Sequence, residues 1–197
     1  MRGILEILAR AKHPVGIVTK SALVLRDLDL LAPMAREGLV KVAISVTTLD
    51  PHLARLMEPR AASPMRRLDV INSLAKAGVP VSIMTAPIIP AINDHEIEMI
   101  LTRAYAAGAR EAGYILLRLP YDVRDLFIEW LGAHFPDKMQ RSLTLIQSTR
   151  DGKLYDAAFN KRMNGIGPYA WMIGRRFEVI AKKLGYGHIA LRTDLFE

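Results

Sequence analysis

Residue types that could do chemistry are concentrated behind one apolar run in the first third of the chain. Ser45, Thr47, Thr48 and Asp50 follow one another closely, and the charged loop Glu58-Pro59-Arg60 comes soon after them. In α/β proteins ligands bind at the carboxyl ends of parallel strands, so hydroxyls and carboxylates there are candidate ligand contacts. Thr47, Thr48 and Asp50 have a simpler possible use, which is to cap the next helix. The sequence leaves both interpretations open.

A second candidate is Lys20, which ends another apolar segment. A desolvated lysine at such a position could form a Schiff base with a carbonyl substrate, as in class I aldolases. The alternative is a lysine that extends into solvent or joins a surface ion pair.

The loop Pro87–Asp94 is stiffened by two prolines and ends in Asn93 and Asp94. A stiff loop at a strand end can hold ligand-binding groups in place at low entropic cost. Alternatively, it is a rigid connector in which Asn93 or Asp94 caps the next helix, and we expect Asp94 to be such a cap. A second loop, NKRMNGIGPY at residues 160–169, could hold an anion through backbone N–H groups and Arg162, or simply connect helices.

The histidines are scattered and show no metal-ligand spacing. Asp94, His95, Glu96 and Glu98 superficially resemble a ligand set, but consecutive residues at a helix start point in different directions, and the helix dipole explains acidic residues there. We therefore predict no metal site. The chain has no cysteine, which excludes disulfides, thiolate nucleophiles and iron–sulfur ligation by its own residues. Neither G-x-S-x-G nor a P-loop occurs.

Four apolar, mostly β-branched segments alternate with amphipathic helices, each helix closing at a glycine just before the next strand. The predicted strands are Val15–Thr19, Val40–Val46, Val79–Ala86 and Ala112–Leu117, the first two read as buried. The predicted helices are Gly3–Lys12, Leu23–Glu37, Met65–Ala77 and Glu96–Ala107. A repeat of roughly 30 residues matches βαβ units and a parallel sheet. No G-x-G-x-x-G follows a strand, so we favour a partial (β/α) barrel over an open doubly wound sheet.

The last part of the chain is predicted to be helical, with segments Asp122–His134, Asp137–Thr149 and Pro168–Leu184. On the last of these, Trp171, Ile173, Phe177 and Ile180 are expected on the apolar side. We divide the chain into an α/β part, residues 1–134, and a helical C-terminal extension, residues 135–197. Because the chain opens on a helix and shows only four strands, it reads as though it starts in the middle of a domain.

Composition indicates a globular protein, expected to be cytoplasmic, since no apolar run reaches the roughly 18 residues that span a bilayer. The net charge of +7 could attract nucleic acid or a phosphorylated ligand, although there is no dense block of lysine and arginine. The oligomeric state stays open.

Six segments, taken in order, carry a family resemblance that none carries alone. They are HPVGIVTKS, LRDLDLLAPMA, VAISVTTLD, LARLMEPRAASPMRRLD, APIIPAINDHEIE and GYILLRLPYDVRDLF. The set resembles a radical S-adenosylmethionine (SAM) protein, and specifically the bacterial branch similar to spore photoproduct lyase. The resemblance implies a partial (β/α)6 barrel that holds a 4Fe-4S cluster and SAM at the carboxyl ends of its strands. The strands seen here would be its third to sixth.

What the resemblance implies for individual positions is a cofactor site spread over three strand ends. Ser45 and Thr47 would face the ribose, the strand end and loop after it would line sugar and base, and the last strand would flank the adenine. The residues carried over in this way are Ser45, Thr47, Pro87, Asn93, Tyr114, Leu116 and Leu117. A looser inference places Lys20, Glu58, Arg60, Arg66 and Arg67 on the rim, near the SAM carboxylate or the substrate.

The chain departs from the family pattern, because the C-x-x-x-C-x-x-C motif that holds the cluster and the glycine-rich segment that binds the methionine amino group are both missing. We expect a truncated family member that cannot cleave SAM reductively by itself, whereas intact relatives would make a 5′-deoxyadenosyl radical that acts on an unknown substrate. One rival is a non-catalytic basic module that binds nucleic acid, which a salt-dependent DNA affinity would support. The other is a Schiff-base lyase using Lys20, which borohydride trapping would reveal.

Overall fold

The computed structural model describes residues 1–155 and 162–196 and contains a four-stranded, all-parallel sheet in the order β1-β2-β3-β4. The strands are β1 Val15–Thr19, β2 Val40–Ser45, β3 Val81–Ile88 and β4 Glu111–Leu116. Since each strand lies beside its neighbour in sequence, every connection is a crossover, and the strand order is that of a segment of a (β/α) barrel. The predicted α/β class with four parallel strands is confirmed.

Helices connect the strands and continue beyond them. Their bounds are α1 Arg2–Arg10, α2 Leu28–Arg36, α3 Pro51–Met57, α4 Pro64–Lys76, α5 Ile97–Ala107, α6 Val123–His134, α7 Pro136–Ser148 and α8 Gly167–Leu184, with 3₁₀ turns at Ala22–Asp27 and Asp94–Glu96. Among the described residues, no helix combines the length and the apolar composition needed to cross a bilayer.

The main core lies between one face of the sheet and the helices that cover it. Val42, Ile44, Val81 and Ile83 point into it from the strands, as expected for strands whose alternate side chains share a face. A smaller core lies at the carboxyl edge of the sheet, where Leu53, Ile89, Ile92 and Leu131 pack together. Residues of this smaller core also line the cleft described below.

A close approach of α4 and α5 depends on a glycine. Gly108 ends α5 with a positive φ of 115°, and a Cβ built there would lie 2.5 Å from the Cβ of Ala75 near the end of α4. Only glycine satisfies both the backbone conformation and this contact.

The segment predicted as one helix, Leu23–Glu37, is two elements. A 3₁₀ turn covers Ala22–Asp27, and α2 follows it. The turn begins where the Ser21 hydroxyl accepts a hydrogen bond from the N–H of Leu23 at 3.1 Å, which is a local side-chain contact that helical periodicity does not reveal.

The predicted third strand, Val79–Ala86, begins and ends two residues too early. The N–H of Val79 donates to the carbonyl of Leu74 at 3.0 Å and so closes α4 instead of joining the sheet. At the other end the strand runs on to Ile88, whose carbonyl accepts from the N–H of Leu117 at 2.9 Å. The predicted fourth strand is displaced by one residue, to Glu111–Leu116.

The prediction that Asp94 caps a helix is wrong. Its carboxylate accepts a hydrogen bond from the hydroxyl of Tyr169 at 2.5 Å, and the 3₁₀ turn that it opens has no side-chain cap. A nearby bidentate pair joins Arg176 of α8 to Glu98 of α5 at 2.8 and 2.7 Å. The predicted boundary after residue 134 stays a prediction, but α8 is tied to α5 and contributes Phe177 to the main core.

Two expectations about burial are wrong. β1 is an edge strand whose burial alternates, with Val18 exposed. On α8, Ile173 and Phe177 are buried as expected, but Trp171 is 71% exposed. Residues two positions apart on a helix lie on nearly opposite sides, so Trp171 and Ile173 do not share a face.

The loop at residues 160–169 lies partly outside the described residues. In its described part, the carbonyl of Met163 accepts from the N–H of Leu116 at 2.9 Å, and the N–H of Ile166 donates to Thr149 at 3.0 Å. The described part of the loop therefore covers the end of the β4 edge.

The amino edge of the sheet is held together by one carboxylate. Glu111 accepts hydrogen bonds from Ser82 at 2.5 Å, from Lys41 at 2.9 Å, and from the N–H of Ile189 at 3.2 Å, and it contacts His188 at 2.8 Å. Burial opposes the ionisation of Glu111, but the hydrogen bonds outweigh it and lower its pKa to about 2. Three strands and the C-terminal segment meet at this group.

We expect Glu111→Gln to lower the free energy of unfolding by about 1–3 kcal/mol near neutral pH, because Lys41 loses its charged partner. The pKa of Glu111 is lower in the folded state than its ordinary value of 4.5. Its contribution is therefore complete above that value and is lost as the pH falls toward 2. Urea unfolding of both proteins across this range should show the difference shrinking with acidification. Glu129→Gln, at an exposed carboxylate on α6, is the control; equal losses in both variants would contradict the prediction.

Candidate functional site

Four side chains from four different segments meet at the carboxyl edge of the sheet, and we call them the Glu58 cluster: Lys20, Thr47, Glu58 and Arg67. Lys20 follows β1, Thr47 follows β2, Glu58 follows α3, and Arg67 lies in the first turn of α4. One oxygen of Glu58 accepts from the Lys20 ammonium at 2.5 Å and from the Thr47 hydroxyl at 2.9 Å. The other oxygen accepts from Arg67.

Arg67 anchors the cluster to the backbone. Its Nε donates to the carbonyl of Ala62 at 2.8 Å, and one terminal nitrogen donates to the carbonyl of Ser45 at 3.0 Å. The side chain of Arg67 is only 3% exposed, so the pair with Glu58 replaces solvation that the guanidinium has lost. Lys20 differs, since its side chain is 39% exposed and faces the open edge.

The ionisation of Glu58 is set by a balance between burial and partners. Burial raises the pKa of Glu58, while the hydrogen bonds from Lys20 and Arg67 and their positive charges lower it, and the partners prevail. The carboxyl group is therefore an anion at neutral pH. It holds one cation in the interior and one cation at the rim.

The residues that follow β2 have different roles. The Thr48 hydroxyl and the N–H of Leu49 both donate to Glu96, at 2.5 and 2.7 Å. Asp50 accepts from the N–H of His52 at 2.7 Å and caps α3. Of the two interpretations of this stretch, capping is correct for Asp50, whereas Thr47 and Thr48 bind carboxylates at the edge.

An apolar cleft of about 340 Å³ opens at the same edge of the sheet as the Glu58 cluster, and we call it the rim cleft. Its walls come from the ends of β3 and β4, from α3 and from α6, and include Leu56, Met57, Pro87, Ile89, Leu117 and Trp130. The two features are neighbours along the chain at two points. Met57 in the wall precedes Glu58, and Pro87 follows Ala86, whose carbonyl lies 3.2 Å from the Thr47 hydroxyl. An apolar slot thus opens beside an anchored set of charges.

The structure brings some of the predicted cofactor residues together and separates others. Ser45, Thr47, Pro87 and Leu117 all lie at the carboxyl edge, the last two in the wall of the rim cleft. Tyr114 and Leu116, in contrast to Leu117, point toward the main core and do not line the rim cleft. Leu116 is buried in the main core and Tyr114 packs on a ring of α8.

Asn93 is buried and fully used in holding the loop after β3. Its amide donates to the carbonyls of Thr47 at 2.8 Å and Pro87 at 3.0 Å, and its carbonyl accepts from the N–H of Ile89 at 2.6 Å. The side chain shapes the edge by tying the segment after β2 to the end of β3 and the loop after it.

Among the predicted rim residues, Arg67 and Arg66 are neighbours with opposite environments. Arg66 and Arg60 are exposed, and neither contacts Glu58 in the described structure. Sequence reasoning attributed Glu96 to a helix start and did not foresee its contacts with Thr48 and Leu49, and it missed the wall residues Leu56 and Trp130. Trp130 reaches the cleft because α6 folds back over the edge, where its indole N–H donates to the carbonyl of Leu56 at 3.3 Å. In the described ranges, no three acidic or histidine side chains converge as metal ligands do.

Comparison with known proteins identifies relatives over most of the chain. The family described as the Radical SAM superfamily matches residues 2–104. An uncharacterized protein of Mycobacterium tuberculosis is 34% identical over 143 residues, which cover 72% of this chain and 42% of the relative. An uncharacterized protein of Acidianus two-tailed virus is 38% identical over 165 residues, covering 81% of this chain and 52% of the relative. The chain thus spans about half the length of these relatives or less.

We expect Glu58→Ala to lower the free energy of unfolding by about 3 kcal/mol, because it leaves the buried guanidinium of Arg67 without its carboxylate. Lys20→Met should cost no more than about 1 kcal/mol, since Lys20 is part-exposed. Adding Arg67→Met to Glu58→Ala should recover stability, because the unpaired charge is then gone. Urea unfolding near neutral pH measures all three. Equal costs for Glu58→Ala and Lys20→Met would show that the pair with Arg67 does not stabilise the fold.

Proposed function

Since this chain belongs to the radical SAM superfamily, we propose that it binds S-adenosylmethionine at the carboxyl edge of its sheet. The observation that carries the proposal is that the rim cleft and the Glu58 cluster lie at the same edge and are linked through the adjacent residues Met57 and Glu58. SAM joins a flat, largely apolar adenine to a zwitterionic methionine end, and the edge offers an apolar slot beside paired charges of both signs. Such a division between an apolar body and a few fixed polar groups is typical of small-molecule sites.

The residues present divide the work of binding SAM. Leu56, Pro87 and Leu117 enclose the adenine in the rim cleft. Thr47 is buried and its hydroxyl donates to Glu58, so it acts by fixing that carboxylate at the edge and does not bind the ribose directly. Lys20 has a part-exposed ammonium that reaches the SAM carboxylate. Glu58 holds Lys20 in position and presents its negative charge to the SAM amino group, while Arg67 keeps Glu58 ionised.

The residues present do not fit a 4Fe-4S cluster. The cluster needs cysteine thiolates, and the sequence has none. No step of the radical reaction is therefore assigned to residues of this chain. We propose that the relatives of this chain include the branch similar to spore photoproduct lyase. In those relatives the 5′-deoxyadenosyl radical would form at a cluster held by cysteines, which this sequence does not contain.

The two other functions have less support. The ammonium of Lys20 is engaged by Glu58 at 2.5 Å, which does not favour a free amine that attacks a carbonyl. Binding of nucleic acid rests on the net charge of +7.

Calorimetric titration tests the binding proposal with two ligands, SAM and 5′-methylthioadenosine, which lacks the amino-acid end. Lys20→Met should weaken SAM about tenfold and leave methylthioadenosine unchanged, because only SAM carries the carboxylate. Leu117→Trp should weaken both ligands by filling the rim cleft. Met99→Trp, at an exposed position on α5, is the matched control and should change neither. No saturable heat with either ligand would contradict the proposal.

A second experiment tests the limit set by the missing cysteines. The purified chain, incubated anaerobically with iron, sulfide, dithionite and SAM, should form no 5′-deoxyadenosine above the protein-free blank, as measured by chromatography. Formation of 5′-deoxyadenosine in proportion to protein would show that other residues hold a working cluster.

A further inference from the structure

The outer side of α8 carries a line of four exposed side chains: Trp171, Arg175, Glu178 and Lys182. Their spacing of four, three and four positions places them in one stripe along the helix, as in the contact line of a coiled coil. The opposite side of α8 is buried through Ile173 and Phe177. Trp171 is the largest apolar side chain in the stripe and is 71% exposed.

Two cavities lie one after the other beside this stripe. The first, of about 640 Å³, is lined by Trp171 and Tyr114 among others. The second, of about 470 Å³, is lined by Phe177, Lys182 and Tyr186 among others. Arg175 and Glu178 line both cavities and stand between them. The helix thus presents Trp171 beside the larger cavity at one end, the smaller cavity beside Lys182 at the other end, and a pair of opposite charges in the middle.

The stripe on one copy of α8 is complementary to the stripe on a second copy that runs in the opposite direction. If a second copy of α8 runs antiparallel, with a two-fold axis between the central charges, Arg175 of each copy lies opposite Glu178 of the other. The same axis places Trp171 of each copy opposite Lys182 of the other. Every contact occurs twice, as an isologous interface requires.

We propose that this face of α8 binds a second copy of the chain in an antiparallel, two-fold symmetric pair. Each Trp171 enters the 470 Å³ cavity of the other copy, against Phe177 and Tyr186 and beneath the Lys182 ammonium. The charge pair within one copy is exposed and long, at 3.4 Å between Arg175 and Glu178. Replacing this pair by two pairs between the copies therefore sacrifices little stabilising free energy.

The partner is a second copy because the pattern of charges matches its own reverse. A parallel copy would place Arg175 against Arg175 and Glu178 against Glu178, and like charges in contact repel. Tryptophan and arginine are over-represented among the residues that contribute most to affinity in protein interfaces. This face of α8 offers one of each, and a cavity that can receive the tryptophan ring. The pairing does not involve the rim cleft or the Glu58 cluster and stands independently of SAM binding.

Sedimentation velocity over a concentration series at low salt tests the pairing. We expect a monomer–dimer equilibrium that Trp171→Ala and Arg175→Glu each weaken by at least about tenfold. The exchanged variant Arg175→Glu/Glu178→Arg should restore the dimer, because both cross-axis pairs form again with the signs reversed. A chain that stays monomeric up to about 1 mM, or an exchanged variant no better than Arg175→Glu, would overturn the proposal.

Disulfide cross-linking tests whether the two helices are antiparallel. Because the sequence contains no cysteine, only the introduced cysteines can form a disulfide. Trp171→Cys and Lys182→Cys, oxidised separately, should give no disulfide dimer, since like positions lie about 16 Å apart along an antiparallel pair. Mixed together, they should give a disulfide heterodimer that retains the second Trp171–Lys182 contact. Gln140→Cys on α7 controls for random collision. Disulfide dimers of either variant alone, or mixed cross-linking no faster than the control, would contradict the antiparallel pair.

Discussion

The carboxyl edge of the sheet depends on one buried carboxylate that satisfies two cations. Arg67 is enclosed by the end of β2 and the start of α4, and it stays there because Glu58 compensates its charge. The same carboxylate reaches Thr47 and Lys20, so the ends of β1 and β2 are fixed relative to the loop after α3. Without this anchor, Lys20 would have no fixed position and the wall of the rim cleft at Met57 would be free to move.

The two edges of the sheet use the same physical device for different purposes. At the amino edge Glu111 collects hydrogen bonds from two neighbouring strands and the C-terminal segment, and the cluster is closed. At the carboxyl edge Glu58 leaves one cation, Lys20, facing outward beside an apolar slot. In our proposal the ligand binds at the end of the strands opposite the Glu111 cluster, and the carboxyl ends of the strands are where barrels of this kind bind their ligands.

Sequence reasoning found the strands, because short apolar β-branched runs between glycine-closed helices are typical of a parallel sheet. It also pointed to the carboxyl edge as a candidate site, because polar residues follow β2 in the sequence. It could not separate Leu117 from Leu116, because adjacent residues of a strand point to opposite faces. It could not separate Arg67 from Arg66 either, because adjacent residues of a helix differ by about 100° in direction and the sequence pattern does not show which of the two faces the interior. It missed Trp130, whose place in the cleft depends on how α6 folds back.

The contact between Gly108 and Ala75 has a consequence at a distance. It sets the separation of α4 and α5 at their carboxyl ends, and the opposite ends of these rods carry Arg67 and, just before α5, Glu96. A change in the distance between the two helices at this contact therefore changes their relative orientation. A side chain added at Gly108 would push the two helices apart there and tilt their opposite ends. The positions of Arg67 and Glu96 at the carboxyl edge therefore depend in part on a residue that makes no polar contact with them.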